Sequence, residues 1–93
     1  MNYYILKYDL VDTYLIERTK YRTEHLGMAQ DHLKSGDLVL GGAMDNPPDA
    51  ALLVFKGENP AVAESFAKND PYVKNGLVKA WSVKKWNVVV GNE

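Results

Sequence analysis

The order of strand-like and helix-like stretches constrains this chain more than any other feature of its sequence. The run YYILKY at residues 3–8 is rich in aromatic and β-branched side chains, the usual material of a strand. Residues 14–34 then contain no proline and no strand-like alternation. Ile16, Tyr21, His25, Ala29, His32 and Leu33, with Leu26 and Met28 beside them, fall near helical spacing. Asp12 and Thr13 can cap this helix, and Gly36 is suited to stop it in the left-handed conformation. Gly27 within it hints at close backbone packing or a break. DLVLGGAM at 37–44 reads as a second strand whose Gly41-Gly42 pair allows a bulge or a close approach. DNPPD must be a loop, because paired prolines cannot continue a ladder.

AALLVFK at 50–56 is a continuous apolar run and reads as a central strand. NPAVAESFAKN at 59–69 is a short helix with Asn59 as cap, Pro60 at its first position, and Val62, Phe66 and Ala63 on its buried stripe. LVKAWSVKKWNVVV at 77–90 contains a fourth strand with Leu77, Trp81 and Val83 on one side, and the tail from Trp86 to Val90 could extend it. The order β-α-β-β-α-β predicts an α+β fold of the ferredoxin-like kind: an antiparallel sheet with two helices on one face. Apolar side chains on both alternating faces of the strands require the second face to be covered too. A second copy of the sheet is the simplest cover, so a homodimer packed face to face is expected, one that a higher oligomer could extend.

Size and composition close off several function classes. The 93 residues form a single domain, 1–93, with an ordinary globular balance of 46 % hydrophobic and 25 % charged residues. The absence of cysteine excludes disulfides, thiol nucleophiles and thiolate metal sites. A net charge of -1 with interspersed signs lacks the basic field that nucleic-acid binding needs. No apolar run is long enough to cross a bilayer and no secretory leader pattern opens the chain, so a soluble cytoplasmic protein is expected.

Chemistry-bearing residues are few. The two histidines, His25 and His32, share a helical face but lie roughly 10 Å apart along the axis, too far for one metal ion. No acidic cluster completes a site with either, so no metal and no cofactor is expected. His25 is the candidate proton carrier, because imidazole titrates near neutrality. His32, in QDHLKSG, is better read as a cation favoured by the helix C-terminus. Asp70 is the candidate partner for His25. In NDPYVKNGL it also has the form of a helix cap before Pro71, with Gly76 closing the turn. Capping occupies one carboxylate oxygen and leaves the other to accept an imidazole N–H, so both readings can hold. Tyr72 neighbours Asp70 and could line a cavity. Gly41-Gly42 lacks the context of a nucleotide loop, and no serine sits in a nucleophile motif.

RTEHL at 22–26, the glycines of SGDLVLGGAM and FAKNDPYVKNGL together resemble the YciI-like family, or YCII-related domain, over nearly the whole chain. The resemblance implies a ferredoxin-like unit that dimerises as an α/β barrel, with a His-Asp pair in a pocket. Matched by motif, that pair is His25 and Asp70. Arg22, Gly42, Pro71, Tyr72 and Gly76 match accompanying positions and are the implied substrate-binding set. Some relatives resemble muconolactone isomerases, and one branch is a dehydrochlorinase acting on a chlorinated hydroxyquinol. Thr23 stands where a proline is frequent, and Ala43 follows Gly42 where Gly-Pro is common.

The expected function is therefore cofactor-independent proton transfer on a small conjugated or aromatic metabolite, of lyase or isomerase type. Arg22 would hold an anionic substrate or enolate, the plainer alternative being an exposed i,i+3 ion pair on the helix. The alternative is a non-catalytic dimer that binds a small ligand or accompanies another protein. A cofactor-free monooxygenase is a third reading, on the pattern of other dimeric barrels of this topology.

Overall fold

The structure is a computed structural model describing residues 2–91. The chain runs β1 (Asn2–Leu10), α1 (Tyr14–Glu17), a 3₁₀ turn (Arg18–Lys20), α2 (Arg22–Ser35), β2 (Leu38–Ala43), β3 (Ala50–Gly57), α3 (Ala61–Asn69), α4 (Pro71–Lys74) and β4 (Val78–Trp86). The strands form one sheet in the order β2-β3-β1-β4, with every neighbouring pair antiparallel. This is the ferredoxin-like α+β arrangement the element order predicts. β3, the most apolar strand, is interior as expected.

Period-two alternation decides the layers. On β1, Tyr4, Leu6, Tyr8 and Leu10 are buried and point to one face, while Tyr3, Ile5, Lys7 and Asp9 point to the other. The register continues the inner face through Leu53, Phe55, Val83 and Trp81. α3 closes on this face with Ala63, Phe66 and Ala67, the i, i+3, i+4 stripe of a short amphipathic helix. α3 begins at Ala61 with Pro60 in the cap position, one residue later than expected, and the Asn59 carboxamide oxygen accepts the Ala61 N–H at 2.9 Å just ahead of it. The outer face carries Ile5, Leu52 and Val54, with Leu40 and Trp86 63 % and 48 % exposed.

Four further local expectations need correction. Residues 14–34 do not form one helix: the chain breaks at Tyr21 (φ -119°, ψ 0°), where no glycine or proline marks it. The Thr19 hydroxyl donates to the Ile16 carbonyl at 3.0 Å, the side-chain competition for backbone acceptors that bends and ends helices. Ile16 is 77 % exposed, because Tyr14, about 200° away around a helix, takes the inward side. Gly27 neither breaks α2 nor packs closely, since no atom lies within 4 Å of where its Cβ would be. β4 stops at Trp86, and residues 87–91 form no strand.

Other signals fared better. Gly36 takes φ +92° and ends α2. At Gly41 a Cβ would stand 3.1 Å from the Leu53 side chain, the close approach that glycine permits. The β2–β3 register shifts just before it, between Leu38 and Leu40.

Candidate functional site

The junction between α3 and α4 places the central acid. Pro71 at the first position of α4 excludes the helical conformation one residue earlier, so Asp70 is extended (φ -70°, ψ 125°). Its side chain turns back and Oδ1 accepts the Tyr72 N–H at 3.0 Å, capping α4. The carboxylate is wholly buried. Charge in that position requires donors from every side.

Two more arrive from distant chain. His25 on α2 sets Nδ1 2.8 Å from Oδ1 and 3.0 Å from Oδ2. Tyr8 on β1 donates its hydroxyl to Oδ2 at 2.7 Å. The second carboxylate oxygen is therefore not left free for the imidazole, as the capping geometry alone suggests. The cap oxygen takes the closer contact to His25, and Tyr8 holds the other oxygen. Tyr8 was missed by sequence reasoning. An inward tyrosine on a core strand needs an acceptor for its hydroxyl, and that requirement is the signal.

A carboxylate only accepts, so His25 Nδ1 is the donor in this pair. Nε2 is then the nitrogen carrying the lone pair. It has no hydrogen-bond partner among the described residues, and His25 lines a cavity of about 440 Å³. The ring is clamped flat against Tyr72, with centroids 3.9 Å apart and planes 8° apart, and Phe66 meets its edge at 6.3 Å. Imidazole orientation is thus fixed from two directions. Burial, followed by the Asp70 charge and the hydrogen bond to it, pushes the Tyr8 phenol far up from its ordinary value, so Tyr8 stays a neutral donor.

The cavity lies between α2 and β2 over the inner face of the sheet. Arg22, Gly42 and Tyr72 of the motif-derived residues line it together with His25, whereas Pro71 and Gly76 do not. Pro71 is buried as the first residue of α4, and Gly76 takes φ +82° to turn the chain toward β4. Arg18 and Tyr14 also line the cavity, and the Arg18 guanidinium sits 5.3 Å from the centre of the Tyr14 ring. By sequence Arg18 suits the solvated face of the helix; the structure turns it to the cavity instead, four positions before Arg22. Burial and then Tyr14 push the Tyr72 phenol up, against the opposing fields of Arg22 and Arg18.

His32 stands apart from this cavity. Its Nδ1 is 3.0 Å from Asp37 Oδ1 at the end of α2, and its ring meets the edges of Phe55 and Phe66. No group of three metal-binding side chains gathers among the described residues. No helix there is long and apolar enough to cross a membrane.

The YCII-related domain model matches residues 1–87. No curated protein matches the sequence. Solved structures share the fold, among them the following three. A 5-chloro-2-hydroxyhydroquinone dehydrochlorinase, TftG, from Burkholderia phenoliruptrix AC1100, in complex with 2,5-dihydroxybenzoquinone, has 23 % identity and a TM-score of 0.70, covering 92 % of this chain and 93 % of that one. Protein Atu4242 from Agrobacterium tumefaciens has 16 % identity and a TM-score of 0.62, covering 97 % and 95 %. A candidate antibiotic biosynthesis monooxygenase from Deinococcus radiodurans has 12 % identity and a TM-score of 0.60, covering 100 % and 97 %.

Proposed function

We propose that this chain, which belongs to the YCII-related domain family, is a small-molecule enzyme in which His25 moves a proton and Asp70 holds it in position. The observation that carries this reading is the buried Asp70 carboxylate at 2.8 Å from His25 Nδ1, which leaves Nε2 as the basic nitrogen on a residue lining the cavity. In the proposed step Nε2 takes a proton from a carbon or hydroxyl next to a conjugated carbonyl, and the electron pair moves into the carbonyl to give an enolate. Collapse follows one of two routes. In an isomerase, Nε2–H returns the proton at another carbon of the conjugated system. In a lyase, the electron pair expels a substituent one carbon further on, and Nε2–H loses its proton to water. Asp70 balances the imidazolium formed between the two stages without accepting the proton itself.

Small conjugated or aromatic metabolites suit these parts. The TftG structure, a dehydrochlorinase holding a dihydroxybenzoquinone, supports that choice of class. No cofactor enters this proposal. We place the chain in the cytoplasm as a homodimer, its outer sheet face, with Ile5, Leu52 and Trp86, packed on a second copy.

The test is proton exchange. A panel of dihydroxybenzoquinones, chlorohydroquinones and enol lactones is incubated with the protein in D₂O and followed by NMR. The wild-type chain should catalyse exchange or elimination on at least one member, and His25→Ala should lower that rate by roughly a hundredfold or more. Equal rates for the two chains would remove His25 from the mechanism. A wild-type chain that binds panel members without exchanging protons would leave a ligand-binding module.

A further inference from the structure

Two guanidiniums and a phenol line the cavity; the Tyr72 oxygen can accept from Arg22, but no described group accepts the phenolic proton. The Tyr72 hydroxyl is buried and is the one buried side-chain polar atom without a partner among the described residues. Arg22 and Arg18 line the same cavity, and neither forms an ion pair with a described residue. A guanidinium only donates, so neither arginine can satisfy the phenolic proton. A buried phenolic proton without an acceptor is unfavourable, and two cations beside it make the missing group an anionic oxygen.

The opposite end of the cavity has different chemistry. Along α2 the lining passes from Arg22 through Leu26 to Leu33, and Leu38 enters from β2 at that end. Eleven residues of helix separate Arg22 from Leu33 by about 16 Å. Leu26 and Leu33 are 42 % and 47 % exposed, an apolar surface with nothing packed on it along the cavity wall. His25 lies one turn from Arg22, against Tyr72, and so near the charged end.

From this gradation we infer that the ligand is an amphiphilic anion: a carboxylate or enolate oxygen held by Arg18, Arg22 and the Tyr72 hydroxyl, with an apolar body extending toward Leu33 and Leu38. The inference rests on the proton-transfer reading only for the reacting atom, which it sets within a bond or two of the anionic group. The binding part stands on the donor set and the leucines alone.

Calorimetric titration with 4-phenylbutyrate and with 4-phenylbutan-1-ol, its neutral counterpart, tests it. The acid should bind at least about tenfold more tightly than the alcohol, the effect of one charge-assisted contact. The double variant Arg18→Met, Arg22→Met should lose that preference, and Tyr72→Phe should weaken the acid severalfold. Arg22 is exposed and Arg18 half-buried, so the double variant keeps its core, which a circular dichroism melt verifies. Equal affinity for acid and alcohol, no measurable affinity for the acid, or acid binding that survives loss of both arginines overturns the inference. Tight acid binding by a wild-type chain that exchanges no protons would leave this inference standing and sink the catalytic reading instead.

Discussion

The Tyr8 hydroxyl donates to Asp70 Oδ2 at 2.7 Å, joining the first strand to the α3–α4 junction 62 residues later in the chain. Through this bond β1 fixes the carboxylate that in turn fixes His25. A core strand thereby takes part in placing the imidazole, although Tyr8 makes no hydrogen bond to His25 itself.

Tyr8→Phe should destabilise the fold by about 1–3 kcal/mol, because buried Oδ2 loses its strongest donor while the ring volume is kept. The pH dependence has a definite sign. Burial and Asp70 raise the folded-state value of Tyr8 above its unfolded value near 10, so folding favours the protonated phenol. That contribution is fully present below about pH 10 and is lost as pH climbs from there toward the raised folded value. Tyr72, shifted in the same direction, adds to the loss. Urea denaturation from about pH 8 to about pH 11 should show wild-type stability falling with a steeper alkaline limb than Tyr8→Phe.

Asp70→Asn separates two jobs of one side chain. The carboxamide oxygen can still accept the Tyr72 N–H and keep α4 capped. Its NH₂ group then replaces Oδ2 opposite Tyr8, so Nδ1–H can still donate to the cap oxygen, but the imidazolium formed in the proposed step loses its counter-charge. Proton-exchange rates on any substrate found in the panel should fall by roughly 10²–10⁴-fold. Asp70→Ala should also lose about 1 kcal/mol of stability through the missing cap. An Asn variant with wild-type rates would assign Asp70 to capping alone.

Glycine substitutions give opposite outcomes at two positions. Gly27→Ala should stabilise by about 1 kcal/mol, since α2 is regular there and the added methyl meets no atom within 4 Å. Gly76→Ala should destabilise by about 1–2 kcal/mol, because φ +82° is a left-handed conformation even though the space is open. Chemical denaturation of both variants measures the pair directly.

The outer sheet face carries a fourth prediction. Leu52→Lys places a second cation opposite Lys7 of β1, between it and Gly42 of β2 and away from the cavity face. If a second copy packs there, burying two like charges should shift the protein to monomer by sedimentation velocity, with α2 and the inner core intact. A variant with unchanged mass would send the dimer interface elsewhere.

Much of the fold was legible because each strand and α3 carried mutually consistent local signals. β3 was an unbroken apolar run, and Asn59-Pro60 marked the start of α3 one residue early. The break at Tyr21 was illegible because no breaker residue marks it; the Thr19 bond to the Ile16 carbonyl that accompanies it leaves no pattern in the sequence. Gly27 misled because glycine costs a helix little enough to be carried without a structural reason. At the site, the Asp-Pro pair exposed both the cap and the orientation of Asp70. The contact to His25 was proposed on chemistry and motif, since no local pattern states which helix face meets the α3–α4 junction. Tyr8 and Arg18 were overlooked for different reasons. Tyr8 resembled any other core aromatic, and Arg18 resembled any other solvated charge until α1, the 3₁₀ turn and α2 lined up along one wall.

The protonation state of the His25 ring tests the account most directly, because the proposed chemistry requires the proton on Nδ1 and the lone pair on Nε2. With ¹⁵N-labelled histidine, two-bond correlation spectra at a pH where the ring is neutral distinguish the tautomers. The account predicts a His25 Nδ1 shift of the protonated kind and an Nε2 shift of the bare kind, a preference lost in Asp70→Ala, which removes the acceptor. A neutral ring with its proton on Nε2, or a tautomer balance indifferent to Asp70, would contradict it.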